Sequence, residues 1–441
     1  MQALLVNPYI YDFAAYNFWS SPIGLLYVGS VLRKNGFDVS FIDCLEINTE
    51  KLKPDGRSPF VKKKVSKPEQ IKTIKKQFKR YGITHDNFIQ NLKEIERPDI
   101  VLVTSIMTYW YTGTKEVIDT VRDVFPSAKI VLGGIYPSLC NEHAKEVMKN
   151  ADLIVNNAEM DKFYSYIEHV FGVNLSFKPS MYDLDVLPFP CFDLCDKINF
   201  IPIITSYGCV YKCKFCATQY MHPSIIRRSA DSVIKEILHW HEHGVDKFVI
   251  YDDNFLYKSD FYAKPILENI SKLPFNIKIF NPNALNVSLI DIEVANLLFA
   301  AGFKEIRLGL ETIDPVMQES LCGKTNKRIF EIGIKNLIDA GFMNNSISAY
   351  ILSGLPFQRW EDVKNSIDYL FGLNIKSSIA EYTPIPHTPL FDEFFSSARY
   401  PIGDDPIFQN NALFLFSWDG FTDDDLYFLK QYSREKNALL K

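Results

Sequence analysis

Residues 201–216, IPIITSYGCVYKCKFC, decide the fold prediction because they join an apolar segment to a short loop with three cysteines. The apolar, β-branched segment 201–208 predicts a buried strand, which Gly208 ends. Cys209, Cys213 and Cys216 follow at the spacing C-x3-C-x2-C. Thiolates are the usual ligands of iron–sulfur clusters, which normally take four of them. A cluster held by this loop would therefore keep one iron open for a small molecule.

Zinc is the alternative metal for the same loop. Tetrahedral structural zinc needs a fourth ligand, and His222 is the nearest candidate. The chain has eight cysteines in 441 residues, which is too sparse for a disulfide scaffold. Because three of the eight fall within eight residues, they favour metal or redox chemistry.

The alternation of strands and helices continues after the cysteine loop. Further strands are predicted at 247–253, 277–285, 305–312, 346–356 and 377–386. Helices are predicted at about 229–243, 258–272, 289–301, 328–340 and 361–372. Six βα units predict a partial (β/α)6 barrel over residues 201–395, with its functional groups at the carboxyl ends of the strands. Residues 396–441 are expected to form a tail, helical at about 422–437, that packs on the barrel.

A second alternation of strands and helices occupies residues 1–175. Its strands are predicted at 3–8, 38–44, 99–105, 129–134 and 152–157. Because they lack internal polar alternation, they predict a doubly wound, Rossmann-like parallel sheet covered on both faces. Such sheets bind ligands beyond the carboxyl ends of their strands. A linker at 176–200, in which Pro188 and Pro190 prevent a helix, joins the two domains.

A basic insertion at about 45–98 interrupts the first domain. Residues 51–80 hold twelve Lys or Arg and only two acids, a local net charge of +10. A solvated insertion is one interpretation of this charge. A docking surface for an anionic group or an acidic partner is the other. The sequence leaves both open.

The overall composition excludes several classes of protein. Apolar residues make up 47% and charged residues 23% of the chain, as in ordinary globular proteins. A net charge of −5 argues against a nucleic-acid partner. We expect no membrane span, because no apolar run approaches the required length of about 18 residues. With no signal peptide visible, a cytoplasmic location is expected.

The cysteine spacing, the aromatic residue before the last cysteine and the partial barrel resemble the radical S-adenosylmethionine (SAM) superfamily. The resemblance covers about 201–390. It implies that Cys209, Cys213 and Cys216 hold a four-iron, four-sulfur cluster whose open iron binds SAM, with Phe215 near the adenine. It also implies that one electron, from a flavodoxin- or ferredoxin-type donor, cleaves SAM to a 5′-deoxyadenosyl radical.

The same resemblance implies further SAM contacts at three strand ends. Asp253, in Tyr-Asp-Asp-Asn, stands where many members carry Gly-Gly-Glu for the SAM amino group. Glu311, in Gly-Leu-Glu-Thr, would contact the ribose or the methionine. A buried salt bridge of Glu311 with Arg307 is the alternative. Ser353 and Gly354 would let the nucleoside approach closely.

The first domain resembles the cobalamin-binding domain of the largest radical SAM subfamily. The resemblance lies in PIGLLYVGSVLRKNGFDVSFIDC, PDIVLVTS, KIVLGGIYPSL and DLDVLPFP. The Asp-x-His-x-x-Gly motif that supplies a cobalt ligand elsewhere is absent. The resemblance implies cobalamin contacts from the loop after the third strand and from the next two strand ends. These residues are Met107, Thr108, Tyr109, Trp110, Gly133, Gly134 and Asn156.

Two observations leave the cobalamin assignment open. Tyr109 and Trp110 also fit a packing role between domains. Residues 156–159, Asn-Asn-Ala-Glu, replace the Gly-Glu-Gly-Glu of relatives, which would weaken or prevent cobalamin binding.

These resemblances lead to one main hypothesis and two alternatives. The main hypothesis is an anaerobic, cobalamin-dependent radical SAM methyltransferase of class B type, acting on an unactivated carbon of a small or peptidic substrate. The first alternative is a radical SAM enzyme that catalyses cyclisation or rearrangement, with or without cobalamin. The second is a non-enzymatic metal- or redox-sensing module.

Overall fold

The computed structural model describes residues 1–156, 158–418 and 420–440. Its contacts divide the chain into two units. Unit 1 contains residues 1–199 and 401–412, and unit 2 contains residues 200–400 and 413–441. The segment predicted as a tail is therefore divided, because residues 401–412 cluster with the first unit and not with the barrel.

Unit 1 is built on a five-stranded parallel sheet. Its strands and those of a smaller sheet are β1 (Gln2–Asn7), β2 (Ile10–Asp12), β3 (Asp38–Asp43), β4 (Lys62–Lys64), β5 (Lys79–Tyr81), β6 (Ile100–Ser105), β7 (Lys129–Gly134) and β8 (Leu153–Ile154). The large sheet has the order β3-β1-β6-β7-β8, and all its pairs are parallel. Every residue of β6 is buried, as expected for a central strand covered on both faces.

Helices connect the parallel strands of unit 1. They are α1 (Ile23–Lys34), α2 (His85–Glu94), α3 (Tyr111–Val124), α4 (Ile135–Leu139), α5 (Asn141–Val147) and α6 (Met160–Phe171). The chain order of the strands reverses direction between β1 and β6. In doubly wound sheets this reversal opens a crevice at the carboxyl ends of the two strands, where ligands bind.

The basic insertion is folded. Strands β4 and β5 pair antiparallel with each other, and β5 pairs antiparallel with β2, giving a three-stranded sheet. Helix α2 follows, with the Thr84 side chain accepting a hydrogen bond from Asn87 N at its start. All three residues of β4 are exposed lysines. The insertion therefore extends the first unit by a small sheet with a strongly basic strand.

Unit 2 carries the six predicted parallel strands and an added hairpin. Its strands are β9 (Ile201–Ile203), β10 (Ser206–Tyr207), β11 (Ile226–Arg227), β12 (Lys247–Ile250), β13 (Lys278–Phe280), β14 (Ile306–Glu311), β15 (Ile347–Ser353) and β16 (Lys376–Glu381). The sheet orders are β13-β12-β9 and β14-β15-β16, and single parallel bridges from Ile279 to Phe303 and from Leu285 to Leu308 lie between them.

Helices again alternate with the strands. Those of unit 2 are α7 (Thr218–Met221), α8 (Ala230–Glu242), α9 (Ala263–Ser271), α10 (Ile292–Ala300), α11 (Pro315–Leu321), α12 (Lys327–Asp339), α13 (Trp360–Gly372), α14 (Pro389–Phe394) and α15 (Asp423–Ala438). Within the described ranges, no helix combines the length and apolarity that crossing a membrane requires.

The first barrel strand is shorter than the sequence predicts. The apolar pattern extends over 201–208, but the parallel strand ends at Ile203. Residues Ser206 and Tyr207 instead pair antiparallel with Ile226 and Arg227. The hairpin thus brackets the cysteine loop, which lies between its two strands.

Candidate functional site

The cysteine loop begins and ends against one carboxylate. Gly208 N donates to Asp253 Oδ2 at 2.8 Å, just before Cys209. Thr218 Oγ1 donates to Asp253 Oδ1 at 3.3 Å, just after Cys216. Gly208 has φ +87°, and a Cβ there would lie 2.5 Å from Ser224 O, so only glycine fits. Asp253, predicted to hold the SAM amino group, therefore also fixes the ends of the loop.

The neighbouring carboxylate, Asp252, is a buried structural anchor. It accepts hydrogen bonds from Thr205 N at 2.7 Å and Ser206 Oγ at 2.7 Å. Burial raises the pKa of Asp252 to about 6, although these hydrogen bonds oppose the shift. The pair Asp252-Asp253 thus connects the end of β12 to the segment between β9 and the loop. Sequence analysis singled out only the second of the two.

The three thiols of the loop have polar neighbours, and all three have raised pKa values. Asn254 Nδ2 lies 3.5 Å from Cys209 Sγ, and Cys216 Sγ lies 3.2 Å from Thr218 Oγ1. Burial raises the pKa of Cys209 and Cys216, and the neighbouring Cys213 thiol adds to both shifts. A hydrogen bond with Cys322, together with burial, raises the pKa of Cys213. Metal binding must therefore displace protons from all three thiols.

The loop fits an iron–sulfur cluster by its donor chemistry. It supplies three thiols within eight residues of chain, and soft thiolates are the ligands such clusters take. Across the described ranges, no three His, Cys, Asp or Glu side chains are already arranged around a metal position. The thiols would thus have to turn toward a common centre. His222, the fourth ligand of the zinc alternative, stacks on Tyr207 with ring centroids 4.5 Å apart.

Two residues at this site were missed by sequence analysis. Cys322 Sγ lies 2.9 Å from Cys213 Sγ, although the two residues are 109 positions apart in the chain. Lys324 Nζ lies 3.6 Å from Glu311 Oε1 and 5.8 Å from the centroid of the Phe215 ring. Both belong to the segment Cys-Gly-Lys-Thr after α11. A single further cysteine followed by Gly-Lys was the available signal, but nothing local ties it to residue 213.

Glu311 has strained backbone geometry and a cationic neighbour. Its φ is +65°, which is rare for a residue with a side chain and occurs mainly at functional sites. Its side chain is only 15% exposed. Burial raises the pKa of Glu311, and Lys324 partly offsets that shift. Arg307 forms its ion pair with Glu305, at 2.6 Å.

Buried polar atoms at two other strand ends fit a polar ligand. Ser353 Oγ at the end of β15 and Tyr382 OH just after β16 are buried, and neither has a hydrogen-bond partner in the described structure. Buried polar atoms are normally satisfied, so these two are available to a nucleoside. At Gly354, a Cβ would lie 3.0 Å from the Phe414 ring. The structure brings Ser353 and Gly354 to the predicted edge, and their SAM contacts stay predictions.

A crevice lies at the point where the strand order of unit 1 reverses. It is lined by the ends of β1 and β6 and by Leu45 of the insertion; the lining residues are Asn7, Pro8, Tyr9, Ile10, Leu45, Thr104, Ser105, Ile106, Trp110 and Thr114. Pockets that enclose a small ligand hold about 300–1,000 Å³, whereas this crevice has room for little more than a water molecule. A corrin would therefore contact this edge rather than enter the crevice whole.

The loop after β6 is mostly a packing element. Tyr109 and Trp110 belong to a buried cluster with Ile10, Leu45, Phe60 and Tyr81. Trp110 Nε1 donates to Asp12 Oδ2 at 2.7 Å, and Asn410 Nδ2 donates to Asp12 Oδ1 at 2.8 Å. Thr108 is also buried, whereas Met107 is 38% exposed. Of the four cobalamin contacts predicted in this loop, Met107 is thus the most accessible.

The next strand ends present small residues and a polar turn. Gly134 has φ +102°, and a Cβ there would lie 2.7 Å from Ser105 O, so close approach to β6 explains this glycine. At Gly133 a Cβ would meet only Val155, at 3.7 Å. Asn156 Oδ1 accepts from Ala158 N at 3.0 Å, and Asn157 lies outside the described residues. The open side of Gly133 is the feature here that fits a close ligand.

Comparison with known proteins identifies the segment that carries this site. Residues 203–370 match the radical SAM superfamily. They form a radical SAM domain. The recognition based on the C-x3-C-x2-C spacing is thereby confirmed, and so is the prediction that the chain is an enzyme with radical SAM chemistry.

Similar proteins extend over both units. A cytidylyl-2-hydroxyethylphosphonate methyltransferase of Streptomyces wedmorensis is 22% identical over 418 residues, covering 79% of this chain and 72% of that protein. The radical SAM methyltransferase TsrM of Kitasatospora setae, solved with cobalamin and a [4Fe-4S] cluster bound, has a TM-score of 0.69 at 16% identity and covers 97% of this chain and 90% of its own.

A third similar protein is the cobalamin-dependent SAM radical enzyme OxsB, solved with aqua-cobalamin and SAM bound. Its TM-score is 0.59 at 17% identity, over 86% of this chain and 53% of that chain. At such identities the solved structures establish the fold. They confirm the predicted fold class, a Rossmann-like parallel sheet followed by a radical SAM barrel and a helical tail.

Proposed function

We propose that the protein is a cobalamin-dependent radical SAM methyltransferase that acts on an unactivated carbon of a small or peptidic substrate. One observation carries the proposal: the three-cysteine loop lies at the carboxyl end of the first barrel strand, with both its ends held by Asp253. Functional groups of such barrels gather at this edge. The methyltransferase names of similar proteins support the reaction class.

In this proposal the barrel residues divide into ligands and SAM contacts. Cys209, Cys213 and Cys216 hold the cluster, which when bound supplies the electron that cleaves SAM. Asp253 keeps the loop in place and, because each carboxylate oxygen accepts more than one hydrogen bond, still receives the SAM amino group. Phe215, Glu311, Ser353 and Gly354 contact the rest of SAM. Lys324 adds a positive charge beside Glu311, suited to the SAM carboxylate.

Unit 1 supplies the cobalamin surface in this proposal. The adjacent carboxyl ends of β1 and β6, where the strand order reverses, and the open side of Gly133 fit a ligand that lies against this edge of the sheet. Met107, Thr108, Tyr109, Trp110, Gly134 and Asn156 complete the proposed contact set. Cobalamin bound to TsrM and OxsB supports this assignment.

The electron donor and the location belong to the proposal as well. A flavodoxin- or ferredoxin-type protein would supply single electrons, and a reducing, cytoplasmic environment suits an oxygen-sensitive cluster. The basic insertion offers charge complementary to an acidic donor.

Metal content tests the proposal directly. The protein is purified without oxygen, its cluster is rebuilt with iron and sulfide, and it is incubated with hydroxocobalamin and desalted. We expect about four irons and one cobalt per chain. SAM labelled in its methyl group should then transfer label to product in the presence of substrate.

The Cys213→Ala variant is the matched test of the loop. It should lose SAM cleavage, measured as 5′-deoxyadenosine formed with a chemical reductant. The control Cys195→Ser changes a cysteine of unit 1 outside the loop and should retain cleavage. Zinc in place of iron would refute the proposed iron–sulfur cluster, and 5′-deoxyadenosine from Cys213→Ala would refute the assignment of Cys213 as a cluster ligand. Iron without cobalt would refute cobalamin-dependent methyl transfer.

A further inference from the structure

The closest approach of two sulfurs at the site involves a cysteine outside the motif. Cys322 Sγ is 2.9 Å from Cys213 Sγ. A disulfide bond requires about 2.05 Å, so a movement of less than about 1 Å joins the two sulfurs. No described cysteine is in a disulfide, and both residues are free thiols.

Backbone contacts hold the two cysteines together. Lys214 N donates to Leu321 O at 2.9 Å, which links the residue after Cys213 to the residue before Cys322. Leu390 N donates to Lys214 O at 3.1 Å, which holds the carbonyl group of the same residue. The position of Cys322 follows from α11, since Cys322 N and Gly323 N both donate to Gln318 O at the helix end.

The two thiols differ in accessibility. Cys213 is 7% exposed, whereas Cys322 is partly exposed and is followed by an exposed Gly323. A small oxidant would therefore reach Cys322 first, and Cys213 would then attack from inside. This arrangement of an accessible and a resolving cysteine is typical of redox-sensitive thiol pairs.

We propose that Cys213 and Cys322 form a reversible disulfide in the cluster-free chain that blocks assembly of the cluster. The proposal rests on the proposed function, because only a cluster-binding Cys213 gives the disulfide this consequence. When Cys213 is in the disulfide, only two of the three loop thiols, Cys209 and Cys216, are free to bind iron. Two thiols are too few to hold the cluster. This Cys213–Cys322 disulfide, called the lock below, also protects Cys213 from irreversible oxidation.

The chemistry requires a small-molecule disulfide as oxidant. The Cys322 thiolate attacks it and releases one small thiol, which leaves a mixed disulfide on Cys322. The Cys213 thiolate then attacks the Cys322 sulfur and releases the second small thiol. Two electrons pass from the two protein thiols to the oxidant, and the two released thiols carry the two protons. A dithiol reverses both steps.

Peptide mapping tests the linkage without reference to activity. The cluster-free full-length chain is treated anaerobically with glutathione disulfide and digested with trypsin without reduction. Cleavage after Lys212 and Lys214 places Cys209, Cys213 and Cys216 on three separate peptides, and cleavage after Arg307 and Lys324 places Cys322 on a fourth. We expect the Cys213–Cys322 product to exceed Cys213–Cys216 by about tenfold, because the first pair is already aligned. A predominant Cys213–Cys216 product would overturn the proposal.

Iron uptake tests the consequence. Oxidised wild-type chain should take up less than about a tenth of its iron until a dithiol is added. Treatment with glutathione disulfide should abolish iron uptake by Cys322→Ser at least about tenfold more slowly than it abolishes uptake by the wild-type chain. The control Cys195→Ser should behave as wild type. Equal rates in Cys322→Ser and wild type would contradict the lock.

The two proposals fail separately. Reduced wild type and reduced Cys322→Ser should each take up about four irons. If neither binds iron while the Cys213–Cys322 peptide forms, the proposed function is wrong and the linkage stands. If reduced Cys322→Ser alone binds less iron, Cys322 is itself a cluster ligand and the lock is refuted.

Discussion

The cysteine loop of unit 2 and the aromatic loop after β6 of unit 1 both follow a parallel strand, yet their side chains serve different ends. In the cysteine loop, Cys209 and Cys216 are only partly buried, and the chain around them is fixed by hydrogen bonds to Asp253. In the aromatic loop, Tyr109 and Trp110 are buried in an apolar cluster. Hydrogen bonds to Asp253 fix the cysteine loop and leave its thiols available to bind a metal. The aromatic loop is instead fixed by the burial of its own side chains.

This difference explains which motif could be interpreted. Thiols contribute little to packing that other small residues could not, so three at a fixed spacing indicate chemistry. Aromatic residues bury large apolar areas wherever they occur, so their position at a strand end does not separate packing from binding. Substitutions in the two loops should therefore affect opposite properties.

The largest expected effect is on metal binding by the cysteine loop. Cys216→Ala removes one of three ligands, so iron bound after reconstitution should fall from about four to below one per chain. The free energy of unfolding of the cluster-free chain should change by less than about 1 kcal/mol, because the side chain is small and partly exposed. Metal analysis and urea unfolding measure the two effects. Cys140→Ala, in unit 1, is the control and should keep its iron; full iron content in Cys216→Ala would erase the distinction between the loops.

The aromatic loop should show the opposite pattern. Trp110→Ala removes a buried ring and the donor to Asp12, so we expect unit 1 to lose about 3–5 kcal/mol of unfolding free energy. Met107→Ala, at a 38% exposed position of the same loop, should cost less than about 0.5 kcal/mol. Denaturant unfolding, monitored by far-ultraviolet circular dichroism rather than tryptophan fluorescence, measures both changes. A Trp110→Ala chain that is stable but no longer takes up cobalt would make Trp110 a ligand contact instead.

The pH dependence of stability tests the role of Asp252, which accepts hydrogen bonds from the residues just before the cysteine loop. Its pKa is raised by burial from 3.8 to about 6. The folded chain therefore keeps this proton where the unfolded chain loses it, and the contribution of Asp252 to stability falls as the pH rises from about 4 to 6, then levels off. Asp252→Asn removes that fall, so the variant should gain about 2 kcal/mol relative to wild type between pH 4 and 7. Urea unfolding of the cluster-free chain at both values measures this, and an exposed-site control, Asp339→Asn, should keep the wild-type pH dependence. An unchanged pH dependence in Asp252→Asn would mean that Asp252 titrates normally.

Lys324 tests whether the residues missed in the sequence serve the same site. Lys324→Met leaves the three loop cysteines in place but removes the cation beside Glu311, so iron content should stay constant. A charge-assisted hydrogen bond contributes about 1.5–3 kcal/mol, so the Kd for SAM should rise about tenfold or more. Equilibrium binding to the cluster-loaded chain measures the change. Lys327→Met, an exposed neighbour at the start of α12, should bind SAM as wild type does, and equal affinity in both variants would remove Lys324 from the site.

Sequence reasoning succeeded where the pattern of residues was local. The spacing of Cys209, Cys213 and Cys216 predicted the radical SAM domain, and continuous apolar runs predicted the parallel sheet of unit 1. It overextended the first barrel strand because the apolar run 201–208 hides the switch from parallel pairing to the hairpin at Ser206. Periodicity reports burial, and both pairings bury those residues.

Long-range contacts were beyond the sequence. Cys322 reaches Cys213 across 109 positions, through the end of α11 and one backbone hydrogen bond from Lys214. The division of the tail involves contacts of the same kind, such as the hydrogen bond from Asn410 to the buried Asp12, which lies far away in the chain. No local pattern of residue types carries such a pairing.

The smallest effect is expected in the basic insertion, where structure and charge can be separated. Residues 51–80 carry a net +10, whereas the other 411 residues carry a net −15, and the exposed lysines of β4 lie on an edge strand. Lysines on an edge strand also prevent pairing with other chains. Glutamate does the same, so replacing Lys62, Lys63 and Lys64 by Glu reverses the charge and keeps the edge blocked. Stability should change by less than about 0.5 kcal/mol.

The same triple variant decides between the two interpretations of the insertion. If the insertion docks an acidic electron donor, reduction of the cluster by such a donor should slow about threefold at physiological salt, and the difference should vanish at high salt. Reduction by a small neutral reductant should not change. A control with Lys149, Lys272 and Lys304 replaced by Glu has the same net charge but an intact β4. Equal rates for both variants would leave the insertion a solvated element, because only a docking surface makes the position of the charge matter.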